Sequence, residues 1–188
     1  MDDEQIADTA VEYFQDLFTS RQPEDGKIGL VLEVVDQRVT DEMNGALLEP
    51  YTGDEVRWAL FQMHPLKALG PDGMSPFFFQ KVWSIVGHDV TSAILSAINS
   101  GCLLHKMDYT HIVLVPTKND PQNLGDFWPI SLGNMISRLF LKVLANRLKQ
   151  ILPSVISDAQ SAFISKRIIT DNTIVAFEVL HRRRGKDG

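Results

Sequence analysis

The sequence predicts a helix-rich α+β fold with one small antiparallel ribbon. Three observations carry that prediction. Most segments place apolar residues at helical spacing between polar breaks. One β-branched run, "HIVLVPTK", has a companion, "DFWPISL", one loop further on. No strand–helix–strand alternation of the kind that builds a parallel sheet is visible. With 188 residues, 44% apolar and 22% charged, the chain can bury a core of one domain or one and a part.

The elements follow in order. Residues 3–20 place Ile6, Ala10, Tyr13, Phe14, Leu17 and Phe18 at helical spacing, "RQPEDGK" (21–27) reads as a loop, and "IGLVLEVV" fits either a strand or a helix, leaving 28–50 open. Thr52-Gly53-Asp54-Glu55 has the form of a capping box, and Val56, Ala59, Leu60 and Met63 continue a helix. In Gly70-Pro71-Asp72-Gly73, Pro71 presets φ for a turn and Gly73 tolerates a positive φ. Ser75 then fits an N-cap and Pro76 the first position of a helix that Gly87 closes after Val86. Asp89 opens another, with Val90, Ala93, Ile94, Ala97 and Ile98 on one face and Gly101 past its end.

Residues 111–118 form the strand, stopped by Pro116, and "DFWPISL" returns across "KNDPQNLG". The longest helix runs from about Asn134 to Leu152. Its stripe is Ile136, Leu139, Phe140, Val143, Leu144, Leu148 and Ile151, with Arg138, Lys142 and Lys149 opposite. A last helix starts near Asp171 and runs out through "HRRRGKDG".

A single cysteine, Cys102, excludes a disulfide scaffold, and no apolar run approaches the roughly 20 residues of a membrane span. The acidic start "MDDEQIADTA" is unlike a secretory or mitochondrial leader, so an intracellular protein, nuclear or cytoplasmic and not secreted, is expected. The net charge of −6 is uneven. Residues 1–58 carry 15 acidic and 4 basic side chains, whereas 59–188 carry 9 and 14. The contrast suggests an acidic helical N-terminal extension over 1–58 and a basic remainder over 59–188. It is compatible with a polyanionic partner and equally with ordinary surface variation.

Two-metal chemistry needs carboxylates around ions about 3.5–4 Å apart. The adjacent acidic pairs are Asp2-Asp3, Glu24-Asp25, Asp41-Glu42 and Asp54-Glu55, and none ends a plausible buried strand. No metal site is expected from them. Cys102 and His105, with His111 beyond, form a partial zinc-like spacing that lacks a second ligand pair, so Cys102 reads as a buried small side chain. Nucleophile elbows, Walker loops and dinucleotide fingerprints are absent from the sequence.

The cations are more informative. Lys118 sits at the mouth of the ribbon, Arg138, Lys142, Arg147 and Lys149 stud one helix, Lys166-Arg167 follows "QSAFIS", and Arg182-Arg183-Arg184 ends the chain's last helix. They suit several phosphates, and they equally suit a solvated face with dipole compensation at a helix end. Likewise, Lys67 and the 70–73 turn precede a helix N-terminus that would favour an anion, or they form a structural corner.

Read in order, "PLKALGPDG", "DFWPISLGN", "LANRLKQIL" and "QSAFISKRIITDN" resemble the reverse transcriptases of LINE-type (non-LTR) retrotransposons, especially those of plant genomes. That family's pattern runs P-x-K-A-P-G-P-D-G, I-P-K, D-F-R-P-I-S-L, A-N-R-L and Q-S-A-F-x-x-G-R-x-I-x-D-N, and the resemblance extends from about Tyr13 to His181. It implies the fingers and the start of an incomplete palm. Lys67, Gly70, Pro71, Asp72 and Gly73 become template contacts, with Arg138, Lys142, Arg147, Lys166 and Arg167 as further nucleic-acid candidates. The ribbon Ile112–Leu132 becomes the fingers hairpin, where Lys118 would meet the nucleotide triphosphate. The implied partner is RNA or an RNA–DNA hybrid.

The departures matter. Trp128 stands at the arginine of R-P-I-S-L, Thr117 at the lysine of I-P-K, Leu69 at the second proline of the first block and Lys166 at the glycine of G-R. Loss of the arginine removes a bidentate phosphate donor. The family's metal-binding aspartates come after the D-N helix, beyond these residues. Magnesium serves the full-length family, and this chain is expected to bind no cofactor and to be inactive as a polymerase. The protein partners expected are a palm segment supplied separately or a second copy of the chain met through exposed apolar surface. The alternatives are a non-catalytic RNA- or DNA-binding module and a non-functional element remnant.

Overall fold

The computed structural model describes residues 3–20, 25–33, 36–102, 105–107 and 109–157, and single positions 160, 164, 168, 170, 173, 174 and 177. Its elements are α1 (Asp3–Phe18), α2 (Asp25–Leu32), α3 (Asp41–Leu48), α4 (Gly53–Gln62), α5 (Pro76–Lys81), α6 (Trp83–Ser100), β1 (Thr110–Pro116), β2 (Phe127–Gly133) and α7 (Met135–Val155). Among these residues no helix is long and apolar enough to cross a membrane. Lys166, Arg167, Arg182, Arg183 and Arg184 lie outside the described residues, as does most of the helix expected from Asp171.

The core is three helices deep. Val56, Ala59 and Leu60 of α4, Val90 and Ile94 of α6, and Met135, Leu139 and Val143 of α7 form one cluster with Met63. Leu60, Ile94 and Leu139 are fully buried, each stabilising the fold by about 2 kcal/mol relative to exposure. Thr52 starts α4 with a full capping box: its hydroxyl accepts from Glu55 N–H at 3.3 Å, and Thr52 N–H donates to Glu55 at 2.8 Å. At the other end, Gln80 Nε2 donates to the carbonyls of Leu60 and Met63 at 2.9 and 3.0 Å. The Leu60 carbonyl also accepts from the Met63 N–H at 3.1 Å, so Gln80 adds a second bond there and supplies one to the Met63 carbonyl past the helix end. The charge boundary at residue 58 therefore falls inside a helix whose two halves share one core, and it marks no structural division.

Two local expectations are corrected, the loop over 21–27 and the helix stop at Gly87. Residues 25–27 belong to α2, and the "IGLVL" run, left open between strand and helix, is helical. Gly87 does not end a helix: α6 runs through it, and the break falls at Val82. Gly87 is there for packing, because a Cβ would come within 2.8 Å of the Trp83 indole. The α1 stripe is largely uncovered, with Phe14 buried while Ile6, Leu17 and Phe18 are 50–60% exposed. Gly101 does close α6, in the left-handed region at φ 67°.

The ribbon pairs β1 with β2 antiparallel, from Thr110 opposite Gly133 to Pro116 opposite Phe127. A 3-10 turn at Leu124–Asp126 leads into β2. β2 then passes directly into α7 through Asn134, which puts the ribbon and the start of that helix beside the 70–73 turn.

Candidate nucleic-acid interface

The turn is clamped to α7. Gly73 N–H donates to Gly70 O at 3.0 Å, closing a β-turn with Pro71 in its second position. Asp72 then serves both sides of the joint. Its Oδ1 accepts from Met74 N–H at 3.1 Å, its Oδ2 accepts from Met135 N–H at 2.6 Å, and its own N–H donates to Asn134 Oδ1 at 3.1 Å. Asn134 makes no side-chain cap of its own. The first turn of α7 is thus capped by a carboxylate from a distant loop, where the dipole favours negative charge. Asn134 Nδ2 also donates to Lys106 O at 2.9 Å, and Ser137 Oγ donates to Met107 O. Gly70 is required by contact, since a Cβ there would lie 2.2 Å from Gly133 O. Gly73 is required by conformation, at φ 63°.

The expected anion site at the following helix N-terminus does not form. Ser75 caps α5 and Pro76 occupies its first position, but Pro76 has no N–H. Phe77 N–H donates to Pro65 O at 3.3 Å and Phe78 N–H to Ser75 Oγ at 3.4 Å. The amides that would receive an anion are already occupied.

What the clamp does create is a groove. Lys67, Arg138 and Lys142 line an open cavity of about 620 Å³ with Met63 and Leu141 on its apolar side. Arg138 fastens the loop to the helix, donating from Nη1 to Ala68 O at 2.6 Å and from Nη2 to Met74 O at 3.5 Å, while its buried Nε has no hydrogen-bond partner. Burial, and then the charges of Lys149 and Lys67, hold the Lys142 ammonium below the usual lysine range. Mutual repulsion of this kind is relieved by a bound polyanion.

Arg147 belongs elsewhere. It lies buried on the core side of α7. Its Nε and Nη2 grip Glu55 at 2.7 and 3.0 Å, Nη1 donates to Leu47 O at 3.2 Å and to Glu49 O, and Nη2 donates to Pro50 O at 2.9 Å. The guanidinium also stacks 3.5 Å from the centroid of the Tyr51 ring. The pairing lowers the Glu55 carboxyl and raises Arg147. With its donors turned inward, Arg147 has none to offer a phosphate.

At the ribbon's loop, Lys118 is ion-paired to Asp126 at 2.9 Å, and the Asp126 carboxylate also accepts from Gln122 and Asn123 N–H at 2.9 and 3.0 Å. Trp128 stands opposite Val115 and is 68% exposed. Lys118 and Trp128 thus sit at the loop end of the ribbon, whereas Lys67, Arg138 and Lys142 share the groove.

A second groove, about 480 Å³, opens on the other side of the turn, lined by Pro71, Asp72, His105, Lys106, Tyr109, His111 and Asn134. Pro71 and Asp72 were candidates through the G-P-D-G block and His105 and His111 through the partial Cys–His spacing, whereas Lys106, Tyr109 and Asn134 carried no sequence signal for a site. That spacing does not converge: Cys102 is exposed, which corrects its expected burial, and it lines a different cavity from His105 and His111. Among the described residues no three His, Cys, Asp or Glu side chains gather as a metal ion would need.

The class of structure defined so far is a helical module with a short ribbon and a cationic groove at the joint between them. No protein-family model matches the chain. It is similar to the Transposon TX1 uncharacterized 149 kDa protein of Xenopus laevis, 31% identical over 188 residues; the match covers 98% of this chain and 14% of that protein. The chain therefore spans about one-seventh of the relative's length.

Proposed function

We propose that this chain derives from a LINE-type retrotransposon and forms the fingers and early palm of a reverse transcriptase, holding RNA or an RNA–DNA hybrid at the Lys67–Arg138–Lys142 groove. The observation that carries the reading is the meeting of Lys67, from the G-P-D-G block, with Arg138 and Lys142, from the helix after the ribbon, on one groove. Two supports are independent of that geometry. Four ordered sequence motifs resemble the family, and the frog relative is by its name a transposon protein.

The G-P-D-G turn acts in this reading as a positioning element. Asp72, Gly70 and Gly73 hold the loop against α7, and Lys67 and Lys142 supply charge to the phosphates. Magnesium, in the full-length family, supports phosphoryl transfer, and the aspartates that hold it belong to segments outside these residues. The role proposed for the 188 residues is binding and positioning, without polymerisation on their own.

A titration against an RNA–DNA hybrid at several salt concentrations tests this. Affinity should fall steeply with salt, and Lys67→Ala and Lys142→Ala should each reduce the log–log slope by about 0.9. Absence of hybrid binding at low salt, or binding indifferent to both substitutions, overturns it. Primer extension with magnesium should give no product from these residues, and template-dependent incorporation would contradict the non-catalytic part.

A further inference from the structure

The first helix carries its charge on one line. Glu4, Asp8, Glu12 and Asp16 recur every four residues, so they stack along one edge of α1 about 6 Å apart. The helix contains no lysine or arginine. All four carboxylates are exposed, and among the described residues none of them is ion-paired. Like charges at that spacing repel one another and weaken the helix that holds them. Val11 and Phe18, one and two heptads beyond Glu4, border the row and are 64% and 60% exposed. The edge is a regular line of negative charge with apolar groups beside it, which is the pattern a nucleic-acid strand offers.

The cationic groove is its counterpart. Lys67, Arg138 and Lys142 line it, Leu141 stands exposed on its apolar side, and no carboxylate among the described residues lines it. Lys67, Lys142 and the neighbouring Lys149 are free of ion pairs, and the charges of Lys149 and Lys67 act together with burial to lower the Lys142 ammonium. A row without cations and a groove without carboxylates thus occur in the same chain. One copy does not bring them together. α1 rests at the loop end of the ribbon, where Ile6 and Thr9 line a small cavity with Pro121, Leu124 and Phe127. The groove lies toward the other end, where Gly70 abuts Gly133, and the seven-residue strands between them span about 20 Å.

We propose that α1 of one copy docks its Glu4–Asp16 row in the Lys67–Arg138–Lys142 groove of a second copy, where it stands in for a nucleic-acid strand and keeps one out. The inference rests on the nucleic-acid reading of that groove and adds its regulation. In a two-fold pair the contact is made twice, each α1 entering the other copy's groove. Dimer and nucleic-acid complex then exclude one another.

The test uses the 188-residue chain, sedimentation over a concentration series and titration with an RNA–DNA hybrid. The parent should pair at low salt, separate as salt screens the contact, and separate when hybrid is added. Asp8→Asn/Glu12→Gln should raise the dimer dissociation constant about tenfold and tighten hybrid binding at concentrations where the parent is paired. Asp36→Asn/Asp120→Asn, the same change of charge at exposed carboxylates elsewhere, should do neither. Lys142→Glu should abolish pairing, and mixing it with an Asp8→Lys/Glu12→Lys copy should restore a one-to-one pair. If the hybrid binds while the parent stays monomeric, or while pairing ignores the α1 substitutions, this inference is overturned and the reading of the groove stands. If the charge-swapped copies pair but no hybrid binds at low salt, the groove only joins copies of the chain, and the nucleic-acid reading and the mimicry both fail. If neither pairing nor hybrid binding occurs at low salt, both fail as well.

Discussion

Asp72 caps Met135 across 63 residues of sequence: its Oδ2 accepts from the Met135 N–H at 2.6 Å, and Asn134 returns the contact to the Asp72 N–H. The turn and the first turn of α7 therefore behave as one joint. Asp72→Ala should lower stability by about 1–2 kcal/mol, in the range of a lost N-cap with a favourable charge. Gly70→Ala should cost more, because its Cβ would collide with Gly133 O in backbone that cannot swing aside. Thermal unfolding of both variants checks this, and an Asp72→Ala protein as stable as the parent would show that the cap contributes nothing.

The Arg147–Glu55 pair predicts a stability effect without a binding effect. Arg147→Ala should destabilise by about 3 kcal/mol, because it strands a carboxylate and three carbonyls in a partly buried site. Arg147→Lys should rescue little, since an ammonium cannot both fork onto Glu55 and stack on Tyr51. Denaturant unfolding gives the cost. A hybrid titration under folding conditions should show the same salt slope for Arg147→Lys as for the parent.

Two glycines in helices should respond in opposite directions to alanine. At Gly45 in α3 a Cβ meets nothing within 4 Å, so Gly45→Ala should stabilise by about 0.5–1 kcal/mol. At Gly87 the same propensity gain is outweighed by the Trp83 indole, 2.8 Å from the new Cβ and itself packed edge-on against Phe61. Gly87→Ala should be net destabilising by about 1–2 kcal/mol. A stabilised Gly87→Ala protein would mean the indole can move away freely.

Asp126 gives the ribbon's loop a pH dependence. Lys118 foremost, then the Gln122 and Asn123 amides, lower its carboxyl from 3.8 to about 2. A depressed carboxyl contributes stability that is fully present above the ordinary value and lost as pH falls through the lowered one. The loop should hold above about pH 4 and loosen between there and about 2. A carbon-detected titration of the Asp126 carboxyl should find its midpoint near 2, and Lys118→Met should move it upward.

Much of this arrangement is legible in the residues themselves where the signal is local. Thr52 and Glu55, Ser75 and Pro76, Gly101, and the two halves of the ribbon each declare their element within a few positions, because caps and turns are short-range chemistry. The readings that failed depended on side-chain packing and, for Asp72, on a partner far along the chain. Gly87 looks like a helix stop until Trp83 is seen to need the space. Asp72 looks like a turn residue, which it is, but nothing near it announces a cap for α7. Cys102 looks like a small core residue until its surroundings are seen. Arg147 carried a missed clue: it lies four residues beyond Val143 and eight beyond Leu139, on the buried line of the helix, where a cation must be paired. Lys142 lies off that line. Of the candidate site, Lys67, Arg138 and Lys142 could be named from sequence, but their convergence could not, since it depends on how the 64–74 loop crosses α7.

The remote cap on α7 has a kinetic side. An ordinary N-cap forms with its own helix, within a few residues and early. Here the helix start cannot be satisfied until the chain has closed a loop of 63 residues and brought Asp72 back to Met135. Closure at that separation carries a substantial entropic cost, so the opening turn of α7 should order late, with the core, rather than nucleate it. In the native state the same coupling reverses the usual gradient of fraying: the Met135 amide, at a position that in most helices exchanges freely with solvent, should exchange only when the joint between loop and helix opens.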